Sequence, residues 1–194
     1  MKLNSTGKLF SLTLLLTAGF LFASAQDDKY ADTYACQKGM IHFFSATAME
    51  NIDATSNSGL CVLNTKTKKV FCKVKHTSFT FKDKLMQEHY NENYIESDKF
   101  PIAQLDMVIV ENIDFTKDGT YDITLKGTLE MHGVKKEREI KGKITVKNGQ
   151  PVGATAVFMV KLADHGIKIP SIVGANIAED VKTDIDFAFE KFHK

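Results

Sequence analysis

Apolar and polar residues alternate along most of the chain, and this period of two is the feature that most limits the fold. Successive side chains of a β-strand point to opposite faces, so alternation predicts strands with one buried and one solvated face. In the segment YDITLKGTLEM, for example, Ile123 and Leu125 share one face while Asp122 and Thr124 share the other. The pattern predicts an all-β protein.

Turn residues separate these segments, among them Asp118-Gly119 and Asn148-Gly149, which tolerate the positive φ angles of tight hairpins. Several of the alternating segments are longer than the usual strand of about five or six residues. Long amphipathic antiparallel strands joined by short turns favour a closed barrel, because closure removes the exposed edges of a sheet. We therefore predict one antiparallel β-barrel domain.

The N-terminal segment does not follow this pattern. Two lysines precede an apolar run from Leu9 to Phe22, and Ala23-Ser24-Ala25 follows it. A basic region, a short hydrophobic region and an A-x-A site are typical of a cleaved secretory signal. The alternative, a retained membrane anchor, requires about 20 apolar residues. We predict that residues 1–25 are removed and that the mature domain, residues 26–194, is periplasmic or secreted.

The charge of the chain is nearly balanced. It has 25 Lys and Arg against 24 Asp and Glu, and loss of the two lysines in the signal peptide leaves an excess of one negative charge. Such a balance provides no long-range attraction to nucleic acid or to an anionic membrane. We expect neither as a partner, and no stable membrane span after cleavage. Whether the chain forms a homodimer stays open.

The sequence contains none of the common catalytic or phosphate-binding motifs. G-x-S-x-G, H-E-x-x-H, G-x-x-x-x-G-K and Cys-x-x-Cys are all absent. The six histidines are scattered singly rather than at metal-ligand spacings. We therefore expect no catalytic residue, no cofactor and no metal site.

Two of the three cysteines bracket a predicted hairpin, CVLNTKTKKVFC. Centring its turn between Lys66 and Thr67 places Cys61 opposite Cys72, where β-carbons are close enough for a disulfide. An oxidising compartment favours the bridge, although the pair could also stay reduced. Cys36 would then be an unpaired thiol, and no neighbouring histidine suggests that it is a nucleophile.

One segment, KLMQEHYNENYIESDKFP, interrupts the alternation at residues 84–101. Asp83 can cap a helix N-terminus, and the helix should end before Pro101. Its apolar and aromatic positions recur at spacings of three and four: Leu85, Met86, His89, Tyr90, Asn93 and Tyr94. A helix between barrel strands three and four can cover one mouth, so this segment suggests a cavity. His89 either orients the helix or contacts a ligand, and the two tyrosines either belong to the core or face a polar headgroup.

The chain resembles the YceI-like family of secreted bacterial proteins from about Gly39 to about Phe189. The resemblance rests on four segments in order: LMQEHYNENYIESDKFP, IAQLDMVIV, GTLEMHGVKKEREIKGKI and FMVKLADHGIKIP. It implies a lipocalin-like, extended antiparallel barrel of about eight strands with a long apolar cavity. It also implies binding of a polyisoprenoid or another long-chain lipid without catalysis.

The resemblance assigns roles to particular segments. Residues 83–95 match the helix that covers the barrel mouth, and Lys99-Phe100-Pro101 matches the start of the next strand. Asp164, Gly166 and Ile167 match the bend before the last strand.

Three functions follow as hypotheses. The first is lipid binding inside the barrel, with polar contacts at the mouth from His89, Tyr90 and Tyr94. The second is an envelope stress or interaction protein whose barrel is filled by side chains and which contacts other proteins, since the fourteen phenylalanines could fill a barrel as well as line one. The third is a hydrolase or a haem or metal carrier. For the first, the predicted wall of the apolar tube consists of Ile41, Phe43, Phe79, Phe81, Leu85, Met86, Leu105, Met107, Ile123, Leu125, Phe158, Ile185 and Phe187.

Overall fold

Strands dominate the computed structural model, which describes residues 30–46, 51–168 and 178–192. The strands are β1 (Thr33–Ala46), β2 (Asn51–Asn64), β3 (Lys69–Lys75), β4 (Thr80–Phe81), β5 (Ile102–Ile109), β6 (Gly119–Met131), β7 (Val134–Lys147), β8 (Gln150–Lys161), β9 (Asp180–Ala188) and β10 (Glu190–Lys191). One α-helix, α1 (Lys84–His89), lies within the described residues and continues into a π-helical turn at Tyr90–Tyr94. Short 3-10 turns follow β3 (His76–Ser78) and β8 (Leu162–His165).

Eight long strands form a closed antiparallel barrel. They pair in the order β1, β2, β3, β5, β6, β7, β8 and β9, and β9 pairs back with β1. The two-residue strands are additions at the ends, β4 on β2 and β10 on β1. The predicted eight-stranded barrel with a helix between its third and fourth long strands is confirmed.

The alternating pattern corresponds to the inside and outside of this barrel. In β6, Ile123 and Leu125 are buried, and between them Thr124 is only partly buried. The predicted turn Asn148-Gly149 joins β7 to β8 as a two-residue loop, with φ angles of 52° and 68°. Positive φ at both positions suits the right-handed twist of the paired strands. Local sequence rules therefore explain both the strands and this turn.

The predicted signal peptide, residues 1–25, lies outside the described residues. Within the ranges that are described, no helix has the length and apolar character needed to cross a membrane.

The three cysteines lie side by side on adjacent strands. In the β2–β3 hairpin, Leu63 pairs with Val70 and Cys61 with Cys72, which is the predicted register. The Cα atoms of Cys61 and Cys72 are 4.0 Å apart and their sulfurs are bonded. Cys36, a buried free thiol, lies opposite Cys61 on β1. The disulfide therefore ties β2 to β3 on the inner side of the barrel.

We predict that oxidised protein contains one reactive thiol after denaturation and that loss of the bridge is destabilising. Closing a loop with the sequence separation of 11 found here should contribute about 3 kcal/mol to the free energy of unfolding. Urea unfolding of the Cys61→Ala, Cys72→Ala double variant would measure that contribution. Cys36→Ala is the matched control, because it removes a buried sulfur without removing a bridge. A count of three reactive thiols in protein from an oxidising compartment would contradict the pairing.

Candidate functional site

A capped helix begins the segment that covers one end of the barrel. Oδ1 of Asp83 accepts hydrogen bonds from the backbone N–H groups of Leu85 and Met86, at 2.7 and 3.1 Å. These bonds satisfy donors that a helix N-terminus leaves without partners. The predicted N-cap is confirmed, and the cap fixes where the helix starts relative to the end of β4.

The helix widens after the six residues of α1. The N–H of Ile95 donates to the carbonyl oxygen of Tyr90 at 2.9 Å, five residues back, as in a π-helical turn. The wider turn brings Tyr94 and Ile95 to the same side as Met86 and Tyr90, and all four line a cavity below the helix. The chain then reaches Pro101, and β5 begins at the next residue.

Two residues predicted to face this cavity point away from it. The side chain of Leu85 is 59% exposed, and His89 is exposed as well. Each precedes an inward residue, Met86 or Tyr90, by one position, which is about 100° around an α-helix. Leu85 therefore does not line the cavity, and a contact of His89 with a headgroup at the mouth stays a prediction. The inward face of the helix is narrower than its apolar and aromatic residues suggested.

The cavity has a volume of about 150 Å³ and an almost entirely apolar wall. Its wall comes from α1, from the π-helical turn and from the helix-proximal halves of the strands. It includes most residues of the predicted tube, namely Ile41, Phe43, Phe79, Phe81, Met86, Leu105, Phe158, Ile185 and Phe187, and also Tyr90 and Tyr94 of the predicted mouth. Ile167, which follows the predicted bend at Gly166 (φ 70°), also contributes.

The interior is not one continuous tube. Met107, Ile123 and Leu125, which were predicted to line the same tube, instead line a second void of about 30 Å³ further along the barrel. Four residues contribute to the walls of both voids: Cys72, Leu105, Ile185 and Phe187. These four, here called the partition, separate a hollow upper half under the helix from a nearly filled lower half. The expectation of a single long cavity is corrected on this point.

Aromatic rings hold the helical segment on the barrel. The ring of Tyr90 lies 5.0 Å from that of Phe81 and 5.5 Å from that of Phe43, measured between centroids. Phe43 in turn lies 5.1 Å from Phe79. Such aromatic pairs add about 0.5–1.5 kcal/mol each beyond the burial of their surface. Tyr90 is therefore both a wall residue and an anchor for the segment.

A buried histidine is the hydrogen-bond partner of this anchor. The Tyr90 hydroxyl and Nδ1 of His76 share a hydrogen bond of 2.8 Å. His76 is 1% exposed, and burial, followed by the nearby His132, lowers the pKa of its imidazole to about 4. Burial also raises the pKa of the Tyr90 hydroxyl. Both groups are therefore neutral near pH 7, and the site carries no charge at this point.

Sequence reasoning missed His76, although a signal existed. Val70, Cys72 and Val74 are the buried residues of β3, and His76 continues the same every-second-residue pattern one step past the end of that strand. A histidine at an inward position needs a partner inside the barrel, and the hydroxyl of Tyr90 is that partner. Nε2 of His76 has no hydrogen-bond partner among the described residues.

No metal site is evident in the part of the chain that the structure describes. Within residues 30–46, 51–168 and 178–192, there is no group of three or more His, Cys, Asp or Glu side chains that could hold a metal ion.

We predict that Tyr90→Phe lowers the free energy of unfolding by about 2 kcal/mol, because it leaves a buried imidazole without its partner. Urea unfolding measures this loss. Tyr121→Phe is the matched control: its hydroxyl donates to the carbonyl oxygen of Lys117 at the surface, where water can replace it. Equal losses of unfolding free energy in the two variants would show that the buried hydrogen bond stabilises the protein no more than the exposed one does.

We also predict that His76 makes the protein less stable in acid. Its pKa is about 4 in the folded protein and 6.5 in an unfolded chain. The unfolded chain therefore binds an additional proton between these pH values, so the free energy of unfolding falls as the pH falls from about 6.5 to about 4. Linkage gives a loss of about 3 kcal/mol. Urea unfolding at pH 7 and at pH 4 gives the stability that each protein loses between these two pH values. This loss should be smaller in His76→Gln than in wild type by about 3 kcal/mol. The exposed His89→Gln should lose as much as wild type, and an unchanged pH dependence in His76→Gln would contradict the assignment.

The fold is shared with solved structures of low sequence identity. A polyisoprenoid binding domain from Saccharophagus degradans, implicated in plant cell wall breakdown, is 13% identical with a TM-score of 0.66, over 84% of this chain and 100% of that one. BcnA of Burkholderia cenocepacia is 10% identical with a TM-score of 0.62, over 78% and 96%. The YceI protein of Campylobacter jejuni is 18% identical with a TM-score of 0.54, over 99% and 100%.

No curated protein matches the chain. The family model of the YceI-like domain matches residues 35–189, which includes the helical segment and every long strand of the barrel except the first two residues of β1. The chain therefore belongs to the YceI-like family.

Proposed function

We propose that the protein binds the apolar tail of an amphiphile, a polyisoprenoid or another long-chain lipid, in the cavity below the helix, and that it carries or stores this lipid without catalysis. The observation that carries the proposal is the cavity of about 150 Å³ with its almost entirely apolar wall. The relative from Saccharophagus degradans is described as a polyisoprenoid binding domain, which supports the same ligand class.

Burial of the tail would supply most of the binding free energy. Removing apolar surface from water contributes about 25 cal/mol for each Å² buried, so the length of the enclosed tail matters more than the headgroup. Tyr90 is a poor headgroup contact, since its hydroxyl already bonds to His76. Tyr94 also lines the cavity and is only partly buried.

We further propose that the protein acts in the periplasm or outside the cell. The signal-like segment of residues 1–25 supports export, and the Cys61–Cys72 bridge is a pairing that an oxidising compartment would maintain.

A second candidate function, contact with another envelope protein, is favoured by one surface feature. Leu60 and Val62 on β2 and Phe71 on β3 are exposed, and Val62 lies directly opposite Phe71. A cluster of apolar side chains on the outer surface is a common feature of protein interfaces. The hollow upper half of the barrel is the feature that weighs for lipid binding over this alternative.

We predict that Phe158→Asp abolishes lipid binding. Phe158 lines the cavity, and a carboxylate there would have to lose its water as a tail enters. The neighbouring Met159→Asp is the matched control, because Met159 is 47% exposed on the outer face of the same strand. Native mass spectrometry of protein purified from a bacterial envelope, followed by extraction and identification of the adduct, makes the comparison. Wild type and Met159→Asp should carry the lipid and Phe158→Asp should not. Retention by Phe158→Asp, or an unliganded wild type even after prenyl lipids are added, would contradict the proposal.

A further inference from the structure

The hollow upper half of the barrel ends at a defined depth. The two voids follow one another along the barrel axis. The order of the lining residues along individual strands shows this. On β5, Ala103 lines only the upper void, Leu105 lines both, and Met107 lines only the lower one. The order on β9 is similar, because Thr183 belongs to the upper void and Phe187 to both. A tail that enters below the helix therefore meets the partition before it reaches the lower void.

Phe187 is the largest and the most deeply buried member of the partition. Its side chain is 2% exposed. A methyl group at Gly39 would lie 1.9 Å from Cδ1 of Phe187, and one at Gly59 would lie 2.9 Å from Cε1. Gly39 and Gly59 are paired with each other on β1 and β2. Since β1 pairs with β9 through Met40 and Asp186, both glycines lie on the strands next to Phe187. The ring therefore lies inside the barrel over β1 and β2, in the space that the two missing side chains leave.

The barrel interior below the partition has little room for a lipid tail. The lower void is about 30 Å³, against about 150 Å³ above. An apolar cavity of roughly the upper volume is known to admit a molecule the size of benzene, whereas the lower volume is about that of a single water molecule. The Cys61–Cys72 bridge adds to the obstruction, since Cys72 belongs to the partition and Cys61 lines the lower void.

We propose that Phe187 sets the length of tail that the protein can bury: the enclosed part of the lipid ends at the Phe187 ring, and any further length of tail stays outside the barrel. This inference rests on the proposed lipid-binding function and adds the chain-length selection of that same site. Affinity should then rise with tail length only until the upper cavity is filled.

A series of prenyl alcohols tests the inference. Prenol, geraniol, farnesol and geranylgeraniol share one headgroup and differ by one isoprene unit at each step. Their affinities can be measured by displacement of the fluorescent probe N-phenyl-1-naphthylamine, which is convenient because the chain contains no tryptophan. For wild type we expect a gain from prenol to geraniol. From geraniol to farnesol, and again to geranylgeraniol, the gain should be less than roughly fourfold, the ratio for one buried CH₂ group.

Phe187→Ala should increase the limiting tail length, which is the length beyond which affinity stops rising. Removing the ring joins the two voids, so farnesol should gain at least about tenfold over geraniol in this variant, as the burial of two further CH₂ groups would give. Phe187→Leu is a more conservative second variant that removes the planar ring and keeps an apolar side chain. Should Phe187→Ala fail to fold, a shift of the limit in Phe187→Leu is the required result. Circular dichroism establishes which variants are folded.

Phe189→Ala is the matched control. Phe189 is the same residue type, faces inward two positions further along the chain, and lines only the lower void. Its truncation enlarges the space below the partition without opening the partition, so the limit should stay at the wild-type length.

The outcomes separate the two proposals. A wild type that binds none of the four alcohols overturns the lipid-binding function itself. A wild type whose affinity keeps rising more than fourfold at each step binds lipid but overturns the role of Phe187. The same holds if the limit stays unchanged in every folded Phe187 variant, or if Phe189→Ala shifts it as far as Phe187→Ala does.

Discussion

Pairing of β1 with both β2 and β9 is the constraint on which the rest of the structure depends. Because this pairing closes the sheet, every long strand has a neighbour on each side over at least part of its length. Closure also separates the side chains into two groups. The sizes of the inward side chains decide where the interior is filled and where it is hollow. The size of each inward side chain therefore determines the shape of the cavity at its level in the barrel.

The parts of the structure that follow local rules were predictable from the sequence. Alternation indicated the strands, and the Asn148-Gly149 turn and the Asp83 cap were recognised from their residue types. The register that places Cys61 opposite Cys72 followed from the centre of one hairpin turn. Each of these features depends on residues close together in the chain, where the geometry of a turn or of a helix end limits the arrangements.

The features that were missed depend on the width of a helix face or on distant contacts. Leu85 and His89 were assigned to the cavity because they recur with its apolar and aromatic positions, whereas within α1 (Lys84–His89) the inward face is narrower and both residues are exposed. The partition could not be read from the sequence at all. It depends on Phe187 packing over Gly39 and Gly59, which lie far from it in the chain and come next to it only when β9 pairs with β1. A phenylalanine that lines a tube and one that blocks it have the same alternating pattern.

A cavity in the upper half is energetically unfavourable compared with an interior filled by side chains. At about 24 cal/mol for each Å³, a cavity of 150 Å³ lowers the free energy of unfolding by about 4 kcal/mol relative to a filled interior. That is a large part of the 5–15 kcal/mol typical of a folded domain. The lower void of 30 Å³ would cost less than about 1 kcal/mol by the same measure. The closely packed lower half carries little of this cost, and under the proposed function a bound tail would add stability by filling the upper half.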